Sequence, residues 1–178
     1  MQRILIIGGN GAGKSTFSYV LAKKLGLPLI HLDQIYWHGC WEVTPHGEFL
    51  ERVEAEAKKE RWIIEGNNVR SIHQRLQYAD TLIWFEFPPL VCVTNILKRE
   101  WKYRKKVRPD MPDECVSRVD LPFLKIAWQF NKKNRARILE QINQAEHVSV
   151  IRFTNYRQVR KFLDEIETAE AFTKRQGD

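Results

Sequence analysis

One short stretch near the amino terminus constrains the fold of this chain more than any other feature. It is rich in glycine and fits the pattern G-x-x-x-x-G-K-[ST] at every position: Gly8, Gly9, Asn10, Gly11, Ala12, Gly13, Lys14 and Ser15. The apolar run at 4–7 before it predicts a buried strand, and the apolar stripe after it predicts a helix over 14–25. A strand, a glycine-rich loop and a helix in this order form a phosphate-binding loop, or P-loop.

The residue types in this loop each serve the binding of a nucleoside triphosphate. Glycines let the backbone turn tightly and aim several N–H groups at phosphate oxygens, and the start of the helix adds its partial positive charge. We expect Lys14 to reach the β- and γ-phosphates, Ser15 to ligate Mg²⁺ and Thr16 to contact the α-phosphate. The sequence thus predicts that residues 8–16 bind ATP with Mg²⁺. The alternative is an ordinary glycine-rich turn without a ligand.

Apolar runs and helical stripes alternate along the rest of the chain. Short runs rich in β-branched residues predict strands at 4–7, 29–32, 62–64, 81–87 and 148–153. Apolar residues at helical spacing predict helices between them, with Thr44 and Pro45 at the start of one and Asp120 and Asn155 as caps of two others. This alternation predicts an α/β fold, in which a parallel sheet has helices on both faces.

Length and composition fit one folded domain. The chain has 178 residues, 43% of them hydrophobic, and no Gly/Ser-rich linker divides it, so we expect a single domain over 1–168 and a frayed tail over 169–178. Its apolar runs are far shorter than the roughly 20 residues of a membrane-spanning helix. Three widely spaced cysteines, without a secretory signal, predict reduced thiols and a cytoplasmic protein with no membrane partner.

The excess of positive charge is confined to one segment. The chain has a formal net charge of +7, and residues 98–137 hold 13 Lys and Arg against 5 Asp and Glu. The remaining residues are close to neutral. A basic segment of this kind binds nucleic acid, binds a phosphorylated substrate or forms a solvated face, and composition leaves the three open.

Three classes of P-loop protein can be compared with these patterns. A GTPase switch needs Asn-Lys-x-Asp after a strand, but the nearest match, at 131–134, lacks the Asp and lies in a basic helical stretch. A motor ATPase usually closes a strand with two carboxylates, whereas the strand at 62–64 is followed by Glu65 alone. A small-molecule kinase combines a short chain with an arginine-rich segment, and this class fits best.

Four motifs together resemble one group of proteins. They are the P-loop, His31-Leu32-Asp33, Trp62-Ile63-Ile64-Glu65-Gly66-Asn67, and the segment from Lys102-Tyr103-Arg104 to Arg108-Pro109-Asp110-Met111. Over about residues 1–165 the chain resembles the adenylate-kinase-like proteins called topology modulation proteins. The resemblance implies a five-stranded parallel sheet, an acceptor-side insert over about 33–60, and a basic arginine-rich lid with its return helix over about 99–137. The name of the group implies an effect on DNA topology.

Two acids follow predicted strands, where the acceptor of a phosphoryl group would lie. By resemblance to shikimate-kinase-like enzymes, Asp33 is expected to orient an acceptor hydroxyl or hold a Mg²⁺-bound water. Glu65 stands where similar monophosphate kinases carry Asp-Gly, and it can hold a Mg²⁺-bound water or position the acceptor. The Pro-Arg that follows Asp-Gly in adenylate kinases is absent, which weakens the expectation of an AMP-like phosphate. The alternative is that both acids are loop or cap residues.

Arginines of the basic segment are candidates for clamping the phosphates during transfer. Arg104 and Arg108 lie where a lid would close, and Arg135 lies on the predicted return helix, where relatives carry phosphate-binding arginines. We expect these three to act collectively, and to complete a catalytic set with the P-loop lysine and the two acids. The alternative for each arginine is a place on a solvated helix.

Aromatic residues Trp37 and Trp41, together with His38, lie in the acceptor-side insert. They can stack on the base or sugar of an acceptor or pack the core of a small subdomain, and we expect the packing role. The remaining histidines and the cysteines show neither metal-ligand spacing nor the surroundings of a nucleophile.

Three functional hypotheses follow. The leading one is a Mg-ATP-dependent phosphotransferase whose acceptor is a nucleoside, a nucleoside monophosphate or another small hydroxyl compound. The second is an ATP-binding regulator in which the basic segment contacts a nucleic-acid backbone while Trp101, Tyr103 and Trp128 stack on bases. The third is a kinase fold that binds a nucleotide as a scaffold without catalysis.

Overall fold

The described chain alternates strands and helices from end to end. The structure is a computed structural model, and it describes residues 1–38, 41–103 and 119–176, with the backbone alone over 170–176. The strands are β1 (Arg3–Gly8), β2 (Leu29–His31), β3 (Trp37–His38), β4 (Glu42–Val43), β5 (Trp62–Glu65), β6 (Thr81–Phe85) and β7 (Ser149–Phe153). The helices are α1 (Lys14–Leu25), α2 (Leu32–Tyr36), α3 (His46–Ala57), α4 (Ile72–Leu76), α5 (Pro89–Lys102), α6 (Leu121–Asn143) and α7 (Tyr156–Gln176).

Strand β1 is the centre of the sheet. The strand order is β2-β5-β1-β6-β7, every neighbouring pair is parallel, and β3 and β4 form a separate antiparallel hairpin. The apolar run at 4–7 is completely buried, because strands flank it on both sides and helices cover both faces of the sheet. The predicted α/β class and the five-stranded parallel sheet are confirmed.

Hydrophobic clusters close both faces of the sheet. On one face, Phe49 of α3 and Phe130 of α6 belong to a cluster with residues of β1, β5 and β6. On the other face, Phe17 of α1 contacts Phe85 and Phe153 through ring edges, with centroids 5.1 and 5.8 Å apart. Since apolar side chains occupy both faces, polar groups gather at the ends of the strands.

Three predicted boundaries are corrected by the structure. Strand β2 ends at His31, one residue earlier than predicted, because the buried Leu32 already begins α2. Helix α3 starts two residues after Thr44, whose hydroxyl donates to the carbonyl of Ile35 at 2.6 Å and is therefore not a helix cap. Strand β6 ends at Phe85, two residues earlier than predicted, because its pairing with β1 and β7 stops there.

Helix caps in the carboxyl-terminal half agree with the sequence. The carboxylate of Asp120 accepts from the N–H of Phe123 at 2.8 Å, and the amide oxygen of Asn155 accepts from that of Gln158 at 3.1 Å. Helix α7 runs to Gln176, and residues 169–176 contain neither glycine nor proline. The frayed tail over 169–178 stays a prediction. No helix in the described part of the chain has the length and hydropathy needed to span a membrane.

Candidate active site

The carboxyl ends of β1, β2 and β5 open into a cavity of about 1290 Å³. Ligands of open α/β sheets bind at this end of the strands. The part of the cavity surface that we call the P-loop wall consists of Asn10, Gly11, Gly13, Lys14, Ser15 and Thr16. The part that we call the acceptor wall consists of His31, Asp33, Tyr36, Trp37, Trp41, Glu65, Asn67 and Asn68. A third part comes from α5 and the start of α6.

Glycine is required at two positions of the P-loop for steric reasons. Gly8 has φ +143° and Gly11 has φ +83°, conformations that residues with a side chain rarely adopt. A Cβ atom on Gly8 would lie 2.3 Å from the carbonyl oxygen of Phe85, and one on Gly11 would lie 2.2 Å from that of Cys92. The loop is therefore packed directly against β6 and α5, and its backbone is held in place from behind.

The P-loop leads straight into the start of α1. Gly13 occupies the capping position in the left-handed conformation, and no side chain caps this end of the helix. Backbone N–H groups at a helix start, together with the helix dipole, bind phosphate. Phosphate binding by residues 8–16 stays a prediction, and Gly8, Gly9 and Ala12 do not themselves line the cavity.

Glu65 is the centre of a buried polar cluster that joins the two walls. Lys14 Nζ donates to the carbonyl of Gly9 at 3.1 Å and lies 3.8 Å from Glu65 Oε1. The hydroxyl of Ser15 donates to Glu65 Oε2 at 3.2 Å, and His31 Nδ1 lies 3.0 Å from the same oxygen. Both Lys14 and Glu65 have side chains only 7% exposed, so their interaction is weakly screened by solvent.

The oxygen atoms of this cluster fit a magnesium ion. Mg²⁺ prefers hard oxygen ligands, and it is usually bound through one or two protein side chains together with substrate phosphates. The Ser15 hydroxyl and the Glu65 carboxylate are oxygen donors, and they already lie within hydrogen-bond distance of each other. These two residues would hold the ion, which when bound would neutralise charge on the phosphates.

Asn67 ties the loop after β5 to the P-loop. Its Oδ1 accepts from the backbone N–H of Gly8 at 3.0 Å, and its Nδ2 donates to Asn10 Oδ1 at 2.9 Å. Next to it, the N–H of Gly66 donates to the carbonyl of Ile6 in β1 at 3.1 Å. Because one side chain bridges both loops, a shift of the acceptor wall would be transmitted to the P-loop.

Arg75 of α4 holds that same loop from inside the protein. It is completely buried, and its three donor nitrogens reach the carbonyls of Ser71, Gly66 and Asn68 at 3.2, 3.2 and 2.9 Å. Burial lowers the pKa of Arg75 to about 9, and the negative charge of Glu65 opposes this effect. The guanidinium is therefore a structural support for the residues that carry Asn67 and Asn68 into the cavity.

Helix α5 presents a polar face to the P-loop. The lining residues on this face are Asn95, Lys98, Arg99 and Lys102. The amide of Asn95 donates to the carbonyl of Gly11 at 2.9 Å and to the hydroxyl of Tyr156 at 2.7 Å. Burial raises the pKa of Tyr156, so this hydroxyl stays protonated at neutral pH. Helix α5 thus supports the P-loop and also supplies cations to the cavity.

Aromatic side chains form the outer part of the acceptor wall. The ring centroids of Tyr36 and Trp37 are 4.9 Å apart, and those of Trp37 and Trp41 are 5.3 Å apart. Tyr36 also packs edge-on against the buried Phe49, at 5.3 Å, which fixes the cluster to the core. Trp37 and Trp41 therefore pack against their aromatic neighbours and also line the cavity, and neither is fully buried.

Two solved structures with the same architecture are shikimate kinases. One, from Acinetobacter baumannii in complex with shikimate, matches with a TM-score of 0.60 and 14% identity over 98% of this chain and 95% of its own. The other, from Bacteroides thetaiotaomicron, matches with a TM-score of 0.55 and 16% identity over 96% of this chain and 98% of its own. The fold is that of a P-loop kinase. No protein-family model matches the chain, and no curated protein matches its sequence.

The structure describes one of the three arginines that were predicted to clamp phosphates. Arg104 and Arg108 lie outside the described residues. Arg135 lies on α6 as predicted, but it lines a separate surface groove and its Nε donates to Glu86 at 2.7 Å, while Arg152 contacts the other oxygen of that carboxylate. The structure therefore does not bring Arg135 to the P-loop cavity, because a carboxylate at the end of β6 holds it elsewhere.

Several lining residues were not among the predicted site residues. Among them are His31, Asn67, Asn95, Lys98, Lys102 and Tyr156. Two of them could be predicted from the sequence, because His31 ends β2 and Asn67 comes shortly after β5, at the edge of the sheet where ligands bind. The polar stripe on α5, at 95, 98, 99 and 102, also has helical spacing. Tyr156 follows the last strand, and nothing in its local sequence indicates a contact with the P-loop.

Proposed function

We propose that the protein is a Mg-ATP-dependent phosphotransferase that acts on a small-molecule acceptor, either a nucleoside or a nucleoside monophosphate. The observation that carries this proposal is the buried cluster of Lys14, Ser15, His31 and Glu65. It joins a complete P-loop to a second wall of the same cavity, where an acceptor has room to bind. The kinase architecture of the similar structures supports the same reading.

In this proposal, the P-loop wall binds and polarises the triphosphate. Backbone N–H groups and Lys14 interact with the β- and γ-phosphates, and electrostatic groups fixed in this way stabilise the charge that develops during phosphoryl transfer. Lys98, Arg99 and Lys102 add positive charge to the cavity from α5, the helix that packs against the P-loop. Arg104 and Arg108 stay predicted phosphate ligands, and their place would be in the same basic segment.

The acceptor wall positions the nucleophile. Asp33, in the first turn of α2, lines the cavity and can accept a hydrogen bond from the acceptor hydroxyl. Glu65 and His31 lie deeper, next to the P-loop lysine. Holding the hydroxyl and the γ-phosphate in line lowers the barrier by reducing the entropy lost in reaching the transition state.

The nucleic-acid hypothesis has less support from the described residues. Its main argument is the basic segment, but the three cations of that segment on α5 line the P-loop cavity. Those charges therefore already have a use in binding nucleotide phosphates. Membership of the topology modulation group, and an effect on DNA, stay predictions from the resemblance.

A turnover assay tests the proposed function. The protein is incubated with Mg-ATP and a panel of nucleosides, nucleoside monophosphates and small alcohols, and ADP release that depends on the acceptor is measured. We expect turnover with at least one acceptor and none with the folded Lys14→Met variant. A broad panel that gives no acceptor-dependent ADP release, from protein that still binds ATP, would favour the scaffold hypothesis instead.

A further inference from the structure

The charges of the cavity are divided unequally between its walls. Among the described residues that line it, lysine and arginine occur on the P-loop and on α5 only: Lys14, Lys98, Arg99 and Lys102. The acceptor wall instead holds the carboxylates of Asp33 and Glu65, the amides of Asn67 and Asn68, and the imidazole of His31. Glu65 contacts Lys14 and His31, so an anionic group placed against this wall would chiefly meet the carboxylate of Asp33, with no lysine or arginine among the described residues of the same wall. Such an arrangement costs free energy.

The outer part of the same wall offers aromatic side chains. Tyr36, Trp37 and Trp41 all line the cavity, and their rings contact one another edge to face. Tryptophan and tyrosine rings bind the faces of nucleobases and sugars, while side-chain oxygens bind the hydroxyls of the same ligand. Aromatic rings beside carboxylate and amide groups therefore fit a ring compound that carries hydroxyls and no negative charge.

We propose that the acceptor is an uncharged, hydroxyl-bearing ring compound, with Trp37 and Trp41 against its ring and Asp33 at its reacting hydroxyl. This inference rests on the proposed phosphotransferase function and narrows it, because it selects nucleosides over nucleoside monophosphates. A free sugar shares the same chemistry. Shikimate, which is bound to the Acinetobacter baumannii enzyme, is a carboxylate and falls outside the class.

Pairs of ligands that differ by a negatively charged group test whether the cavity prefers an uncharged acceptor. Binding is measured by calorimetry on the full chain with saturating Mg-ADP, so that nucleotide ligands cannot enter the P-loop side. The ligands are the common nucleosides and their 5′-monophosphates, ribose, and shikimate with its uncharged methyl ester. We expect the uncharged member of at least one pair to bind about tenfold more tightly than the anionic member. A nucleoside that binds more tightly than ribose identifies the base as part of the recognised ring.

Variants of one tryptophan test the aromatic part of the wall. Trp37→Leu is expected to weaken binding of the preferred uncharged ligand about tenfold, because the stacking surface is lost. Trp37→Phe keeps a ring and is expected to recover most of that loss. Trp128→Leu is the matched control, since Trp128 is half exposed on α6 and does not line the cavity. Circular dichroism and thermal unfolding confirm that each variant is folded.

The outcomes separate this inference from the proposed function. Tight binding of a monophosphate or of shikimate in preference to the uncharged partner overturns the inference while leaving a kinase intact. Equal effects of Trp37→Leu and Trp128→Leu also overturn it, as does the absence of binding by every uncharged ligand at millimolar concentration. If uncharged ligands bind through Trp37 but no ADP release follows, the inference about the ligand stands and the phosphotransferase function fails.

Discussion

The P-loop wall and the acceptor wall of the cavity come from the chain in different ways. The P-loop wall is a single run of residues between β1 and α1, and its shape follows from glycines with positive φ. The acceptor wall is assembled from β2, α2, the β3–β4 hairpin and the loop after β5. Lys14 and backbone N–H groups dominate the first wall, while carboxylates, amides and aromatic rings dominate the second.

The two walls differ because phosphate binding is a general task, whereas recognition of one acceptor is a specific task. Phosphate binding requires backbone N–H groups in one local arrangement, and a short motif is sufficient to build it. Acceptor recognition requires side chains of several chemical types at fixed distances, and distant segments must be brought together to provide them. Glu65 joins the two walls, because it contacts Lys14 and Ser15 on one side and His31 on the other.

Removal of the P-loop lysine is expected to have the largest effect. Lys14→Met deletes the buried cation that the triphosphate would meet, so acceptor-dependent turnover should fall by about 10³-fold. The matched control is Lys23→Met, on the exposed face of the same helix, which should retain nearly full activity. Steady-state ADP release measures both variants. Equal activities for the two would contradict the assignment of the P-loop wall to ATP.

A charge-removing change at Glu65 is expected to affect both walls at once. Glu65→Gln keeps the shape of the side chain but removes a carboxylate that contacts Lys14, Ser15 and His31. We expect turnover to fall by about 10²-fold and the Mg²⁺ concentration for half-maximal rate to rise. Glu60→Gln, at an exposed position after α3, is the control. An unchanged Mg²⁺ dependence would remove Glu65 from the proposed metal site.

Paired glycine substitutions test whether the P-loop wall depends on packing as well as on backbone conformation. Gly11 and Gly26 both have positive φ, but a Cβ on Gly11 would meet Cys92 at 2.2 Å, whereas one on Gly26 would meet no atom within 4 Å. Gly26→Ala should cost about 1 kcal/mol of unfolding free energy. Gly11→Ala should cost about 2 kcal/mol more, because the crowded backbone must move. Urea denaturation measures both, and equal losses would contradict the packing argument.

The smallest effect is expected for Asp80, which lies at the amino ends of the strands, away from the cavity. Asp80 accepts hydrogen bonds from Thr81 and from the N–H groups of Gln2 and Arg3. Burial raises the pKa of Asp80, but these hydrogen bonds outweigh it and lower the pKa below its ordinary value of 3.8. Because the folded-state pKa is lowered, the carboxylate stabilises the protein above pH 3.8, and this contribution is lost as the pH falls through the folded-state value.

The variant Asp80→Asn measures that contribution. At neutral pH it should unfold about 1 kcal/mol more easily than the wild type, and the difference should shrink as the pH falls below 3.8. Turnover should stay unchanged, since the site lies at the other end of the strands. Thermal unfolding between pH 7 and pH 3 gives the comparison. If the difference in unfolding free energy between the variant and the wild type does not change with pH, the ionised carboxylate is not the cause of that difference.

Local sequence patterns predicted the fold more completely than they predicted the site. Buried strands appear in the sequence as short apolar runs, and the helix caps at Asp120 and Asn155 are local patterns. The class of fold could therefore be predicted. Prediction failed where a distant contact decides the outcome. Thr44 looks like a helix cap but bonds to Ile35, and Arg135 looks like a phosphate ligand but bonds to Glu86.

By itself, the sequence determined that a P-loop would follow a buried strand and that an acid would lie near the end of each of two other strands. Only the tertiary structure decided which groups meet, because β5 is inserted between β1 and β2 in the sheet. That order brings Glu65 beside His31 and places Asn67 against Gly8, 59 positions away in the chain. Hydrogen bonds over such separations depend on strand pairing, and local residue patterns carry little information about which strands will pair.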